Sequence, residues 1–195
     1  MTSLDLLYDL SGCLINSNSV LDYPRLQGET FVNIGGMQLK RKLDALPEDI
    51  KTFMDNSPNG IILFAMGFIF NPVNIPSFFI QKIFNVFSKL DQNVILKFSP
   101  NNSFVIPNNV MTKNFLPQQE ILAHTNTKLF FTHCGMHGVI EAIAYKVPMV
   151  GMPIFLDQVD VATRISQRDI GLIIHKDSSE DEIYNAIQIV LNNSK

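Results

Sequence analysis

The chain has 195 residues, 46% hydrophobic and 17% charged, which is ample for a packed core and argues against disorder. Its formal net charge of −3 gives no electrostatic footing for nucleic acid or an anionic membrane, so any anion site must be local. Cys13 and Cys134, the only cysteines, stand in no metal or redox spacing, which argues against a zinc site or a disulfide framework and leaves two free buried thiols.

No stretch reaches about 18 uninterrupted apolar residues, and the first residues lack a basic region followed by an apolar run. As given, the chain reads as soluble and without an address. The sequons Asn101-Asn102-Ser103 and Asn192-Asn193-Ser194 are of a kind that arises often by chance.

Along residues 1–18 a short amphipathic piece, LDLLYDL, precedes an apolar run, CLINS, that suits one strand. Ser19 to Thr30 reads as an extended connection, because Pro24 biases its predecessor away from helix. From Phe31 strands and helices alternate. FVNIGG is a strand ending in two glycines, and Pro47 to Asn56 is a helix with proline in its first turn. GIILFAMG is a continuous apolar strand of the kind buried on both faces, closed by Gly67. Ile75 to Leu90 carries phenylalanine and isoleucine at three- and four-residue spacing and is a helix. NVILKF is the next strand, Ser99 to Asn109 a polar loop, and VMTKNF a strand that leads through Pro117 into a short helix, QQEILAH.

KLFFT then reads as a buried strand, followed by a turn from His133 to Gly138 and a helix, VIEAIAY. VPMVGMP is a strand, Asp157 to Arg168 a helix, and GLIIH a strand. Ser179 and Glu182 form a capping box for a last helix reaching about Leu191. This order predicts an α/β fold: a Rossmann-like, doubly wound parallel sheet of about six strands with right-handed crossovers.

The turn at His133 is the place where chemistry is expected. A strand running into a helix through a glycine-containing turn leaves the first helical N–H groups unpaired at the positive end of the dipole, which favours a phosphate. Neither dinucleotide nor P-loop fingerprint is present: FVNIGGMQLKRK lacks the third glycine, and no G-x-x-x-x-G-K-[ST] occurs. A nicotinamide or ATP site is therefore not expected.

FFTHCGMHGVIEAIAYKVPMVGMPIFLDQ resembles the signature of the UDP-glycosyltransferases in Thr132-His133, Gly135, Glu141, Pro148, Pro153 and Asp157-Gln158. FLPQQEILAHTNTKLF is similar to that family's W-x-P-Q segment, and INSNSVLDYPR to its interdomain connection. The resemblance implies the C-terminal half of a GT-B type glycosyltransferase. Residues 1–30 would be the last strand of an N-terminal domain plus the linker, and residues 31–195 the UDP-sugar donor-binding domain. The function implied is transfer of a hexose or hexuronic acid from a UDP-sugar to a small lipophilic acceptor. The acceptor pocket and the histidine base would lie in the other half, so no catalytic residue is expected in this chain, which alone would bind without transferring. Animal members of the family are typically anchored in the endoplasmic reticulum.

The resemblance also implies roles. His133 takes the diphosphate, against a plain core-edge histidine. Gly135 and Gly138 let the backbone approach the phosphates, against simple turn formation. His137 stands where the family often has asparagine and can still donate a hydrogen bond. Glu141 accepts the two ribose hydroxyls, against a carboxylate that merely complements the helix dipole. Phe115 replaces the usual tryptophan that stacks on uracil, and Gln118 meets the uracil edge, against a solvated first-turn glutamine. Asp157 and Gln158 recognise sugar hydroxyls, against an N-cap aspartate. Gly67 and Phe68 occupy a second phosphate turn where glycine and serine are usual. No metal or separate cofactor is expected. A second reading from another class is a non-catalytic binding module whose donor site has decayed, suggested by Phe68 and His137.

Overall fold

The computed structural model describes residues 11–67, 76–98 and 104–193. The chain divides into two units between Leu39 and Lys40.

In the first unit, β1 (Cys13–Ile15) pairs in parallel with β2 (Phe31–Asn33) as a separate two-stranded sheet. The Cys13 N–H donates to the Thr30 carbonyl at 2.8 Å, and the Asn18 N–H donates to the Asp22 carboxylate at 2.8 Å, which fixes the bend after β1. FVNIGG is thus a strand as expected, but it belongs to this small sheet. Three residues ending in a polar asparagine cannot serve as a strand buried on both faces.

The second unit contains α1 (Glu48–Asp55), β3 (Ile61–Ala65), α2 (Ser77–Ser88), β4 (Asn93–Lys97), β5 (Val110–Lys113), α3 (Gln118–Ala123), β6 (Thr127–Thr132), α4 (Met136–Ala144), β7 (Met149–Gly151), α5 (Gln158–Gln167), β8 (Gly171–Ile173) and α6 (Glu180–Asn192). Its six strands form one parallel sheet in the order β5-β4-β3-β6-β7-β8. From β3 the chain winds outward through β4 and β5, then crosses back to β6 and winds the other way. The switch in direction falls between β3 and β6, which run side by side with Ala65 level with Thr132. This is the doubly wound order, and its switch point is where the carboxyl ends of two strands leave a crevice.

The sheet is covered because its strands are apolar on both faces. β3 is buried at every position. Ile62, Phe64, Leu96 and Phe131 pack against Ile80, Ile83, Phe84 and Phe87 of α2 and Ile183 and Ile187 of α6. Strand alternation sends Ile61, Leu63 and Ala65 to the opposite face. The first face is rich in aromatic contacts: Phe64 meets Phe87 edge-on at 5.4 Å between centroids and lies 4.8 Å from Phe131. Such a ring pair adds about 0.5–1.5 kcal/mol beyond the area it buries. The expected capping box forms at α6, with the Glu182 N–H donating to Ser179 Oγ at 3.2 Å and the Ser179 N–H to the Glu182 carboxylate at 2.7 Å.

Cys134 is a buried free thiol, as expected. Cys13 is half-buried, because it lies on a short strand where the chain has few apolar neighbours to cover it. The LDLLYDL piece, Phe68, residues 69–75 and 99–103 and Ser194 lie outside the described residues.

Candidate functional site

β6 ends at Thr132 and α4 begins at Met136, so three residues, His133-Cys134-Gly135, make the turn at the switch point. Cys134 adopts φ +67°, a left-handed conformation costing a non-glycine residue about 1–3 kcal/mol. Its N–H donates to Thr132 Oγ1 at 3.2 Å, and its side chain is fully buried. Burial pushes the thiol up to about 12. A nucleophilic thiolate is therefore not on offer here.

That strained turn positions the imidazole of His133 between two glycines from different strand ends. A Cβ built on Gly67 would stand 2.6 Å from His133 Cε1 and Nε2, and one built on Gly135 would stand 2.5 Å from Nε2. Both positions are glycine because the ring fills the space a side chain would need. Gly67 also holds φ +72°, where glycine is at ease. His133 Nδ1 is buried without a hydrogen bond of good geometry, leaving Nε2 as the nitrogen to meet a ligand. Burial lowers the pKa of His133, opposed more weakly by the Ala65 backbone and the Asp157 carboxylate. The ring is accordingly neutral at neutral pH. Gly135 is the N-cap of α4 and supplies no side-chain cap, so the N–H groups of that first turn remain for another acceptor.

Glu141 lies on the second turn of α4 and is 8% exposed. Its two oxygens are held by two neutral amides of α3: Gln118 Nε2 donates to one at 2.6 Å and Gln119 Nε2 to the other at 3.1 Å. The structure thus brings Gln118 and Glu141 together across 23 positions of sequence. Gly138 is where the two helices approach, since a Cβ there would meet Gln118 Nε2 and the Phe130 ring at 3.3 Å. His137 is exposed on the first turn of α4. Phe115, after β5, is 78% exposed, while the following Leu116 is buried. An aromatic face left in solvent beside an anchored neighbour can stack on a planar ligand.

Asp157 is the N-cap of α5, yet its exposed carboxylate makes no capping hydrogen bond. It lies within electrostatic reach of His133. Gln158 is 5% exposed, and its Oε1 accepts from the N–H groups of Ile154 at 2.9 Å and Phe155 at 3.2 Å. That oxygen closes the loop after β7, leaving the amide nitrogen as the group that can face a ligand.

Sequence reasoning missed Gln119 and the residues that hold it. Gln119 Oε1 accepts from the Lys40 N–H at 2.9 Å and from the Tyr145 hydroxyl at 3.5 Å. The adjacent Glu120 is buried, and its carboxylate takes the Lys40 ammonium at 2.6 Å and the Asp44 N–H at 3.2 Å. Burial alone would raise Glu120, but Lys40 and the backbone donors outweigh it and hold the carboxyl below its ordinary value. The one hint in the sequence was an acidic residue set inside the apolar run EILA.

Among the described residues no group of three or more His, Cys, Asp and Glu could hold a metal ion, and no helix is long and apolar enough to cross a membrane.

The fold and sequence have known relatives. UDP-glucuronosyltransferase 1A1 of Mus musculus is 32% identical over 195 residues, covering 99% of this chain and 36% of that protein. The chain spans about a third of the length of the curated relatives it matches. The glycotransferase of kitacinnamycin superposes with a TM-score of 0.75 at 22% identity, covering 99% of this chain and 49% of the other. Os79 from O. sativa, solved in complex with UDP, superposes with a TM-score of 0.66 at 18% identity over 82% of this chain and 39% of its own. These neighbours share the GT-B fold. All of residues 1–195 match one family, described as UDP-glucoronosyl and UDP-glucosyl transferase, and the chain belongs to it.

Proposed function

We propose that this chain is the nucleotide-sugar-binding half of a UDP-glycosyltransferase, residues 31–195 forming the donor domain and residues 1–30 the end of a preceding domain with its linker. The observation that carries the reading is the His133 ring, locked between Gly67 and Gly135 at the switch point, beside a helix start without a side-chain cap. A diphosphate fits there because it supplies the acceptors that the N–H groups and the imidazole lack. Glu141 would accept the ribose hydroxyls, Phe115 and Gln118 the uracil, and Asp157 and Gln158 the sugar. Gly67, and Gly135, Gly138 and His137, would border the phosphates.

In the reaction, an acceptor oxygen attacks the anomeric carbon as the bond from that carbon to the diphosphate oxygen breaks. UDP departs carrying the negative charge. His133 and the N-terminus of α4 stabilise that charge as it develops, which is where such donors act most strongly. The acceptor's proton goes to a base on the other half of the enzyme, and the sugar is delivered with inversion to a small lipophilic acceptor. The isolated chain binds donor but does not glycosylate an acceptor.

Calorimetric titration with UDP tests this. Saturable heat that is lost in His133→Ala and Glu141→Gln supports the reading. No heat at millimolar UDP refutes it and favours a non-catalytic module that has kept only the fold.

A further inference from the structure

Glu141 is buried, and among the described residues its carboxylate is met by the side-chain amides of Gln118 and Gln119, one on each oxygen, with no cation beside it. The two glutamines are held very differently. Gln119 Oε1 faces two donors, the Lys40 N–H and the Tyr145 hydroxyl, so its amide has one orientation, with Nε2 directed at Glu141. The next residue, Glu120, fastens the first turn of α3 to residues 40–44 through the Lys40 ammonium and the Asp44 N–H. Gln118 has no comparable anchor on its carbonyl among the described residues, and its amide is the one that abuts Gly138 at the start of α4.

We propose that Gln119 is a positioning residue that fixes the Glu141 carboxylate permanently, while Gln118 is an exchangeable partner that satisfies the other oxygen only until a vicinal diol replaces it. Gln118, Glu141 and Gln119 then form a closed hydrogen-bonded unit that pays no penalty for a buried, unpaired carboxylate. On donor binding the Gln118 amide leaves Glu141 and turns to the base, so the ribose and the uracil are sensed by one exchange. Lys40, Glu120 and Tyr145 serve this step only by holding Gln119. The inference rests on the assignment of Glu141 to the ribose.

The test compares UDP with 2′-deoxy-UDP by calorimetry on the full chain, in wild type, Gln119→Leu and Gln118→Ala. A hydroxyl donating to a carboxylate gives wild type a preference for UDP of about tenfold or more. Gln119→Leu is expected to shrink that preference to within about twofold, because Glu141 loses its fixed orientation. Gln118→Ala is expected to weaken both nucleotides together and leave the preference intact. A general loosening of the fold would lower both affinities in Gln119→Leu without changing their ratio, and that outcome overturns the proposal. So does loss of the preference in Gln118→Ala. If Gln119→Leu does not fold, Gln119→Glu decides: it keeps an acceptor for Lys40 and Tyr145 but repels Glu141, and retention of the full preference there overturns the proposal. Wild type binding UDP without any preference would instead remove the ribose assignment itself.

Discussion

Gly135→Ala tests how the turn packs against His133. Gly135 sits at φ −66°, a conformation alanine adopts freely, so the substitution adds a methyl group without backbone strain. That methyl would lie 2.5 Å from His133 Nε2 and 2.9 Å from Cε1. The first distance is about 0.9 Å short of the 3.4 Å at which ordinary contact begins. The ring is short and bounded by Gly67 on another side, so it must swing out of the switch point. A hydrogen bond from this ring to a diphosphate is worth about 1.5–3 kcal/mol, which converts to about 10–150-fold in Kd for UDP. Alanine at the N-cap also costs the fold up to about 1 kcal/mol, visible as a small drop in Tm. The assay is calorimetric titration of wild type, Gly135→Ala, His133→Ala and the double variant. The methyl meets the ring first, so most of its penalty runs through the ring, and the double variant is expected to bind clearly tighter than two additive penalties would allow. Gly135→Ala binding as tightly as wild type, or penalties that add fully in the double variant, would show that the ring is not displaced.

Three further outcomes are expected. Burial keeps His133 neutral and an adjacent diphosphate favours its protonated form, so the bound ring has the higher pKa and binding takes up a proton. UDP-glucose, whose diphosphate does not titrate near neutrality, is expected to bind more tightly as pH falls from 8 to 6, and a flat profile identical in His133→Ala would contradict this. Glu120 is held below its ordinary value of 4.5, so its contribution to stability is present above that pH and lost on acidification; in Lys40→Met only the backbone donors oppose burial, the carboxyl moves up, and the stability gained on raising the pH shrinks. The Tm deficit of Lys40→Met should therefore widen between pH 3.5 and 6.5, and a constant deficit would refute the pairing. Native protein should react with Ellman's reagent at Cys13 only and at both cysteines in denaturant, because Cys134 is fully buried with its thiol raised to about 12.

Local pattern made most elements legible. β3 is a five-residue apolar run, α2 repeats its phenylalanines at helical spacing, and α6 carries its own capping box, so each is specified by residues within one stretch. The His133 turn was legible for the same reason. What could not be read was anything set by strand order. Nothing in GIILFAMG says that Gly67 ends beside His133; that follows from the chain reversing its winding between β3 and β6. Nor does any periodicity join Lys40 to Gln119 and Glu120, 79 and 80 positions away. FVNIGG reads as one strand of the alternating series, but its sheet could not be read, since pairing partners are a tertiary property and β2 found β1. Gln158 illustrates a subtler limit: its residue type suited sugar recognition, but the fold also uses its carbonyl oxygen to close the loop after β7.

The most direct measurement is a crystal structure of the chain grown with UDP. The diphosphate is expected against His133 Nε2 and the first turn of α4, the ribose hydroxyls on Glu141, and the Gln118 amide withdrawn from that carboxylate while Gln119 stays. Nucleotide density anywhere else, or UDP seated at the turn with Glu141 still held by both glutamines, would contradict it.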